Sequence, residues 1–211
     1  APTGIAALNI QGQTIHSFFG FPARLMTEKD IRRVANFNLI KKIDTLIIDE
    51  ISMVRADLMD AIDKTLRLNR ASNAAFGGVQ LILFGDLFQL PPVIATPEEK
   101  QYFRSFYESP YFFDAKIFKH GFELKHYELS KVYRQDERHF IRLLDNIRTG
   151  TFDWDDIEEI NYRVDPDISK ENMIVLAGRN ATVEQINKNS LENCVEYFNS
   201  DFHLMDLFSI F

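Results

Sequence analysis

Apolar residues along the chain alternate between short continuous runs and longer stretches with helical spacing. Short runs at 45–48 and 79–84 predict two strands, and the stretch 55–69 between them predicts a helix. Gly77 and Gly78 break the helical pattern before the second strand begins. Strand, helix and strand in this order predict an α/β fold with a parallel sheet and right-handed crossovers.

Two neighbouring stretches are harder to assign. Residues 27–43 have helical spacing, with Thr27 as the N-cap and Asp30 three positions later, and they predict a further helix. Residues 91–121 show no clear period and are predicted to be irregular. The aromatic side chains between Tyr102 and Phe113 could form a nucleic-acid platform, but packing beneath a long loop is the favoured interpretation.

The alternation resumes in the second half of the chain. The pattern predicts a strand at 126–130, a helix that ends at Gly150, a strand at 173–177 and a helix capped by Asn180. We therefore predict a domain boundary near Gly121.

Composition and charge restrict the class of protein. A content of 45% apolar and 26% charged residues is ordinary for a soluble globular protein, and no apolar run approaches the ~20 residues needed to span a bilayer. The net charge of −7 argues against a purely electrostatic nucleic-acid binder, although a basic groove can exist on an acidic protein. The single cysteine, Cys194, excludes an internal disulfide and is typical of a reducing, intracellular compartment.

Polar residues follow both predicted strands of the first half. Asp49 and Glu50 come directly after the first strand, while Gly85, Asp86 and Gln89 follow the second. The carboxyl ends of parallel strands are where open α/β sheets bind ligands. One carboxylate can hold a Mg²⁺ hydration shell while its neighbour orients an attacking water, so the pair predicts a magnesium–nucleotide site. An isolated Asp-Glu pair after an apolar strand is equally compatible with a surface turn.

Five long segments follow one another along the chain, APTGIAALNIQGQTIHSFFGFP, IIDEISMV, FGGVQLILFGDLFQLPPV, ELSKVYRQ and LAGRNATVEQIN. Their order and spacing resemble those of the PIF-type DNA helicases, RecD-like motors of helicase superfamily one. The similarity covers roughly residues 1–191.

This resemblance implies a RecA-like (P-loop NTPase) α/β fold, a parallel sheet with flanking helices. It implies a first motor domain at 1–121, incomplete at its N-terminus and with a small insert near 18–30, although a plain connecting loop explains that stretch too. The start of a second RecA-like domain would occupy 122–211. It further implies an ATP- and Mg²⁺-dependent helicase that translocates 5′ to 3′ on single-stranded DNA. Its partners would be single strands and single-strand/duplex junctions, with no membrane association and a monomeric state.

The resemblance also assigns roles to four residues of the nucleotide site. Asp49 matches the acid that coordinates Mg²⁺ through water, and Glu50 matches the catalytic acid. Gln89 matches the γ-phosphate sensor, and Arg134 matches the arginine that the second motor domain contributes across the cleft. Taken alone, Gln89 could instead bond loop backbone, and Arg134 could be an exposed or ion-paired side chain.

A second set of residues matches the family's DNA-contacting segments. Hydroxyls and backbone N–H groups there would bind phosphates, and aromatic rings would stack on bases. His16 could equally be a packed histidine, and the ring of Phe18 could belong to the core. The residues implied to contact DNA are Pro2, Thr3, Gly4, Thr14, His16, Ser17 and Phe18.

The chain also departs from the family pattern. It contains no G-x-x-x-x-G-K-[ST] loop and opens without an initiating Met, so we expect it to be the middle part of a longer protein. Without that loop, phosphates lose their backbone cradle and lysine, and we expect this segment alone to hydrolyse no ATP. The intact protein would be cytoplasmic in a bacterium, and nuclear or mitochondrial in a eukaryote.

Two other interpretations remain open at this point. One is a degenerate, non-hydrolysing module that binds DNA or protein through a retained RecA-like fold. The other is a different RecA-like ATPase, such as a phosphotransferase or a transporter motor. The helicase-like motifs TIHSFFGFP and GDLFQLPPV favour the motor on DNA.

Overall fold

A computed structural model describes residues 1–119, 121–168 and 173–195, with no side-chain description from residue 192 onward. By its contacts the chain divides into two compact units, Ala1–Asp156 and Ile157–Phe211. Among the described residues, no helix is long and apolar enough to cross a membrane. The predicted boundary near Gly121 stays a prediction.

The first unit opens with two short helices, α1 (Gly4–Asn9) and α2 (Ile15–Phe19). The hydroxyl of Thr3 accepts a hydrogen bond from the Ala6 amide at the start of α1, and the hydroxyl of Thr14 accepts one from the Ser17 amide at the start of α2. Two helix caps therefore occupy the segments that the sequence assigned to DNA contact.

The predicted helix over 27–43 is wrong. The structure has a 3₁₀ turn at Glu28–Asp30 and one short helix, α3 (Phe37–Ile40). Asn69 provides the reason, because its buried side chain accepts a hydrogen bond from the Val34 amide at 3.1 Å and donates one to the Arg32 carbonyl at 3.2 Å. These contacts occupy backbone groups that an α-helix would use. The capping signal itself is correct, since Thr27 and Asp30 form a capping box.

The parallel sheet is confirmed. Strands β1 (Thr45–Ile48) and β2 (Gln80–Leu83) pair in parallel with Ile48 opposite Leu83, so their carboxyl ends lie side by side. Between them runs α4 (Ala56–Arg70), within one residue of the prediction at each end. Its buried face packs Met59, Ile62 and Leu66 into the core beneath the sheet.

The region predicted to be irregular contains regular structure. Helix α5 (Pro97–Phe106) begins at a capping box formed by Thr96 and Glu99, with proline at its first position. A 3₁₀ turn at Phe112–Asp114 and helix α6 (Lys116–Lys119) follow. The packing interpretation of the aromatic cluster is confirmed, because Phe103 and Phe112 are buried in the main core.

The first unit also contains α7 (Arg138–Thr149) and the beginning of α8 (Trp154–Asn161). The division between the two units falls within α8, after Asp156. Gly150 ends α7 in the left-handed conformation, as predicted (φ 73°). The predicted strand at 126–130 is wrong, because these residues are exposed and pair with no strand in the described chain. Without a partner strand, an extended segment has no ladder to join.

The described part of the second unit contains the end of α8 and helix α9 (Asn180–Val195). Helix α9 begins at Asn180, where the sequence predicted a helix start, but Asn180 is its first helical residue and not its cap. The predicted strand at 173–177 is wrong, since these residues have no regular structure and pair with no other described segment.

Candidate functional site

The candidate nucleotide site begins where β1 ends. Asp49 accepts a hydrogen bond on Oδ1 from the Glu50 amide at 2.9 Å, and both side chains are half-buried. Glu50 itself has left-handed backbone dihedrals (φ 53°, ψ 45°), which an L-residue adopts only at a cost in free energy. The chain therefore turns sharply at the pair of acids. Backbone strain of this kind is concentrated at functional sites.

Gly85 brings the loop after β2 against this turn. A Cβ atom at position 85 would lie 2.9 Å from the Ile51 amide nitrogen and 3.3 Å from that of Ser52. The Ile51 amide also donates to the Phe84 carbonyl at 2.9 Å. Only a glycine allows two backbones to approach this closely, so the two motifs that follow β1 and β2 form one continuous surface.

Asp86 organises the loop that carries Gln89. Its carboxylate accepts hydrogen bonds from the Phe88 amide at 3.0 Å and from the Gln89 side-chain amide at 3.2 Å. Partial burial opposes ionisation of Asp86, but these two bonds and the charge of Arg148 outweigh it and lower its pKa. The structure therefore joins Asp49, Glu50 and Gln89 through neighbouring loops.

Arg148, at the C-terminal end of α7, is the residue of this site that the sequence did not predict. Its guanidinium contacts Asp86 at 3.1 Å and Asp145 at 2.9 Å, and it lies 5.0 Å from the centre of the Phe88 ring. Asp86 and Arg148 are 62 positions apart, so no local pattern in the sequence could pair them.

Arg134 forms no described contact with the other residues of the candidate nucleotide site. It lies in an exposed segment without regular structure, and its side chain forms no hydrogen bond or ion pair with any described residue. Its assignment to the nucleotide site stays a prediction.

The residues assigned to DNA contact lie on two adjoining segments. The Ile15 amide donates to the Ala1 carbonyl at 2.9 Å, which holds the start of α2 beside the residues that precede α1. Pro2 and Thr3 are half-buried, Gly4 and Ser17 are exposed, and the Thr3 and Thr14 hydroxyls are used as helix caps. A capping hydroxyl still has a lone pair with which to accept a hydrogen bond.

His16 and Phe18 are both partly buried. Burial lowers the pKa of His16, and the positive charge of Arg55 lowers it further against the opposing effect of Asp57, so the imidazole is neutral at pH 7. The Phe18 ring packs edge-to-face on Phe19 at 4.9 Å and contacts the main core. Contact of these two side chains with DNA stays a prediction.

The donor groups at the end of β1 suit a hard divalent cation. Within the described residues, no group of three or more metal-ligating side chains exists that could hold a metal ion by itself. Mg²⁺ is commonly held by one or two carboxylates together with substrate phosphates and water, and Asp49 with Glu50 supplies that number of carboxylates.

Comparison with known proteins identifies the family. The model of the PIF1-like helicases matches residues 1–158, three quarters of the chain. The chain belongs to the PIF1-like helicase family. Among its relatives, the ATP-dependent DNA helicase PIF1 of Saccharomyces cerevisiae is 38% identical over 159 residues, covering 72% of this chain and 18% of the relative. The human PIF1 helicase is 36% identical over 154 residues, covering 71% and 22%.

Solved structures of PIF1-like helicases share the fold. The Pif1 helicase from Bacteroides in complex with ADP-AlF3 and single-stranded DNA superposes with a TM-score of 0.82 at 40% identity, covering 96% of this chain and 47% of that one. Pif1 from Candida albicans gives a TM-score of 0.73 at 31% identity, covering 91% and 43%. The RecA-like fold is thereby confirmed. This chain spans less than half the length of these relatives and solved structures.

Proposed function

We propose that the protein is part of an ATP-dependent helicase that moves 5′ to 3′ along single-stranded DNA and separates duplex at junctions. The observation that carries the proposal is the close backbone contact between Gly85 and the turn at Asp49 and Glu50. It places two carboxylates and the loop of Gln89 at one edge of a parallel sheet, in a chain of the PIF1-like helicase family.

The roles proposed at the nucleotide site follow from the chemistry of its side chains. Asp49 would hold Mg²⁺ through a water molecule, and the ion would supply positive charge beside the phosphates of ATP. Glu50 accepts the proton of the attacking water, and Gln89 contacts the γ-phosphate through its amide. Arg134 approaches the phosphates from the second motor domain, so that hydrolysis depends on domain closure.

The proposed path of the DNA runs over the segments that begin α1 and α2. Exposed backbone at Gly4 and the exposed hydroxyl of Ser17 are available to phosphates, with Pro2, Thr3, Thr14, His16 and Phe18 alongside. A neutral His16 can accept a hydrogen bond or stack on a base without adding charge. The Bacteroides relative was solved with single-stranded DNA, which supports this part of the proposal. We propose that the motor acts as a monomer.

The proposal is tested by ATP hydrolysis of the complete gene product, with and without single-stranded DNA. We expect DNA to stimulate hydrolysis and Glu50→Gln to reduce the stimulated rate by at least ~100-fold, because a glutamine cannot accept the proton. Glu108→Gln is the matched control, since Glu108 is exposed and pairs with Lys119 at 3.0 Å. This control should hydrolyse ATP at the parent rate.

Binding of DNA without any hydrolysis by the parent protein would contradict the motor. That result would support the non-hydrolysing module instead. Full activity in Glu50→Gln would contradict the assignment of the catalytic acid.

A further inference from the structure

Arg148 joins the loop of Gln89 to a helix that lies far away in the sequence. Its Nη1 atom donates to both carboxylate oxygens of Asp86, at 3.1 and 3.3 Å. Its Nε and Nη2 atoms donate to Asp145 on the preceding turn of α7, at 3.0 and 2.9 Å. The guanidinium is therefore fixed from both sides.

The same side chain also packs on the loop itself. The guanidinium carbon lies 5.0 Å from the centre of the Phe88 ring, within the distance of a cation–π contact. Phe88 follows Asp86 by two positions and directly precedes Gln89, so Arg148 contacts the loop at two residues before Gln89. An exposed ion pair alone contributes little, but charge-assisted bonds combined with ring packing restrict a loop more strongly.

The loop needs such a restraint because little else holds it. Leu87, Phe88 and Gln89 are all exposed. Inside the loop, the Gln89 amide nitrogen bonds the Asp86 carbonyl at 3.1 Å, and the Gln89 side chain bonds the Asp86 carboxylate at 3.2 Å. The Gln89 side chain is thus bonded to Asp86, and Asp86 in turn to Arg148.

We infer that Arg148 is a positioning residue for ATP hydrolysis, which acts through Asp86 on the side chain of Gln89. The inference rests on the proposed function, since it takes Gln89 as the group that contacts the γ-phosphate. Arg148 itself touches no reacting atom in this account. It links the nucleotide site to α7, the helix that follows the segment of Arg134.

The test uses Arg148→Met and Arg148→Lys in the complete gene product, with steady-state ATP hydrolysis in saturating single-stranded DNA. In Arg148→Met we expect kcat to fall ~10-fold or more, because a misplaced group near the reacting atoms costs that much. KM for ATP should change by no more than about twofold, since Gln89 is only one of several groups that hold ATP in the ground state. Arg148→Lys should recover part of kcat, because lysine restores the charge but not the fork that reaches two carboxylates.

Arg142→Met is the matched control. It removes the same charge from the same helix, and its partner is Asp156 at 3.5 Å rather than the loop. Hydrogen–deuterium exchange of the peptide covering residues 84–94 gives a readout independent of activity. Exchange there should rise ~10-fold in Arg148→Met and stay at the parent rate in Arg142→Met.

A parent-like kcat and a parent-like exchange rate in Arg148→Met would overturn the inference and leave the proposed function untouched. An equal fall of kcat in Arg142→Met would also overturn it, because the effect would then belong to the helix rather than to the contact with Asp86. A parent protein that hydrolyses no ATP would instead refute the proposed function, and the inference would fall with it.

Discussion

At the scale of single residues, Gly85 packs its backbone against the turn after β1. The space for a side chain there is filled by the backbone nitrogens of Ile51 and Ser52 and by the Cγ2 atom of Ile51. The glycine is needed for proximity rather than for an unusual backbone conformation, unlike Gly150 at the end of α7. Glu50, by contrast, carries a side chain although its backbone has a left-handed conformation that favours glycine.

Asp30 is the residue for which a pH dependence follows most directly. Its carboxylate accepts two bonds from Arg24, at 2.7 and 2.9 Å, and two from Thr27, at 2.7 and 2.9 Å. The hydrogen bonds from Arg24, followed by those from Thr27, lower the pKa of Asp30 from 3.8 to about 2.

We predict that Asp30 stabilises the fold above pH 4 and that its contribution is lost as the pH falls from 4 to 2. The reason is that the unfolded chain binds the proton at the higher pKa. Asp30→Asn should lower the free energy of unfolding by ~1–2 kcal/mol at pH 7, a range that allows for the exposure of Arg24. Urea denaturation at pH 7, 4 and 2 measures this, and a difference between parent and variant that persists at pH 2 would contradict it.

At the scale of elements, Asn69 decides the structure of a segment that is remote in sequence. Besides its two bonds to Arg32 and Val34, its side chain donates to the Thr65 carbonyl at 2.8 Å. All of its hydrogen-bonding atoms are thus used inside the core. The segment 32–34 is held against α4 in a conformation that its own helical spacing does not favour.

We predict that Asn69→Ala lowers the free energy of unfolding by ~2–3 kcal/mol. The substitution leaves the buried Val34 amide without its partner and removes two further bonds, and buried unpaired groups are costly. Asn73→Ala is the control, because Asn73 is exposed and, among the described residues, bonds only through its backbone carbonyl, to Arg67 at 2.9 Å. Equal denaturation midpoints for the two variants would show that the bonds of Asn69 do not hold the segment.

At the scale of the whole molecule, regular structure and burial are distributed unevenly along the first unit. The sheet and α4 form the core, and Arg70 ties its edge by donating to the carbonyls of Ile40, Ile43 and Gly77 at 2.8 Å. By contrast, residues 123–134 are all exposed and form no regular structure. Local opening should therefore be far easier in this segment than in the core.

We predict that brief trypsin treatment cuts first after Lys125, Lys131 and Arg134, and at least ~10-fold more slowly after Arg70. Mass spectrometry of the first products measures the order. A variant that carries Lys125→Gln, Lys131→Gln and Arg134→Gln should lose the early cuts and keep the late one. Early cleavage within 45–83 would contradict the account of the core.

The sequence by itself determined the elements whose signals are local. Continuous apolar runs predicted β1 and β2, one-turn spacing predicted α4, and Gly150 and Asn180 marked helix ends. The acids after β1 and Gln89 after β2 were also candidates from sequence, because each lies directly beyond an apolar strand. Such signals predict the structure correctly because they depend on residues only a few positions apart. The capping box at Thr96 and Glu99 was equally local, and its presence in the sequence could have revealed α5.

Only the tertiary structure decided what depends on partners remote in the chain. Asn69 overrode the helical spacing of 32–34, and the segment at 126–130 lacked a neighbouring strand with which to pair. Arg148 reached Asp86 across 62 positions, and Gly85 proved to be packed on the turn at Glu50. Each of these results depends on which elements pack together, since hydrogen bonds and close contacts act through space and not along the sequence.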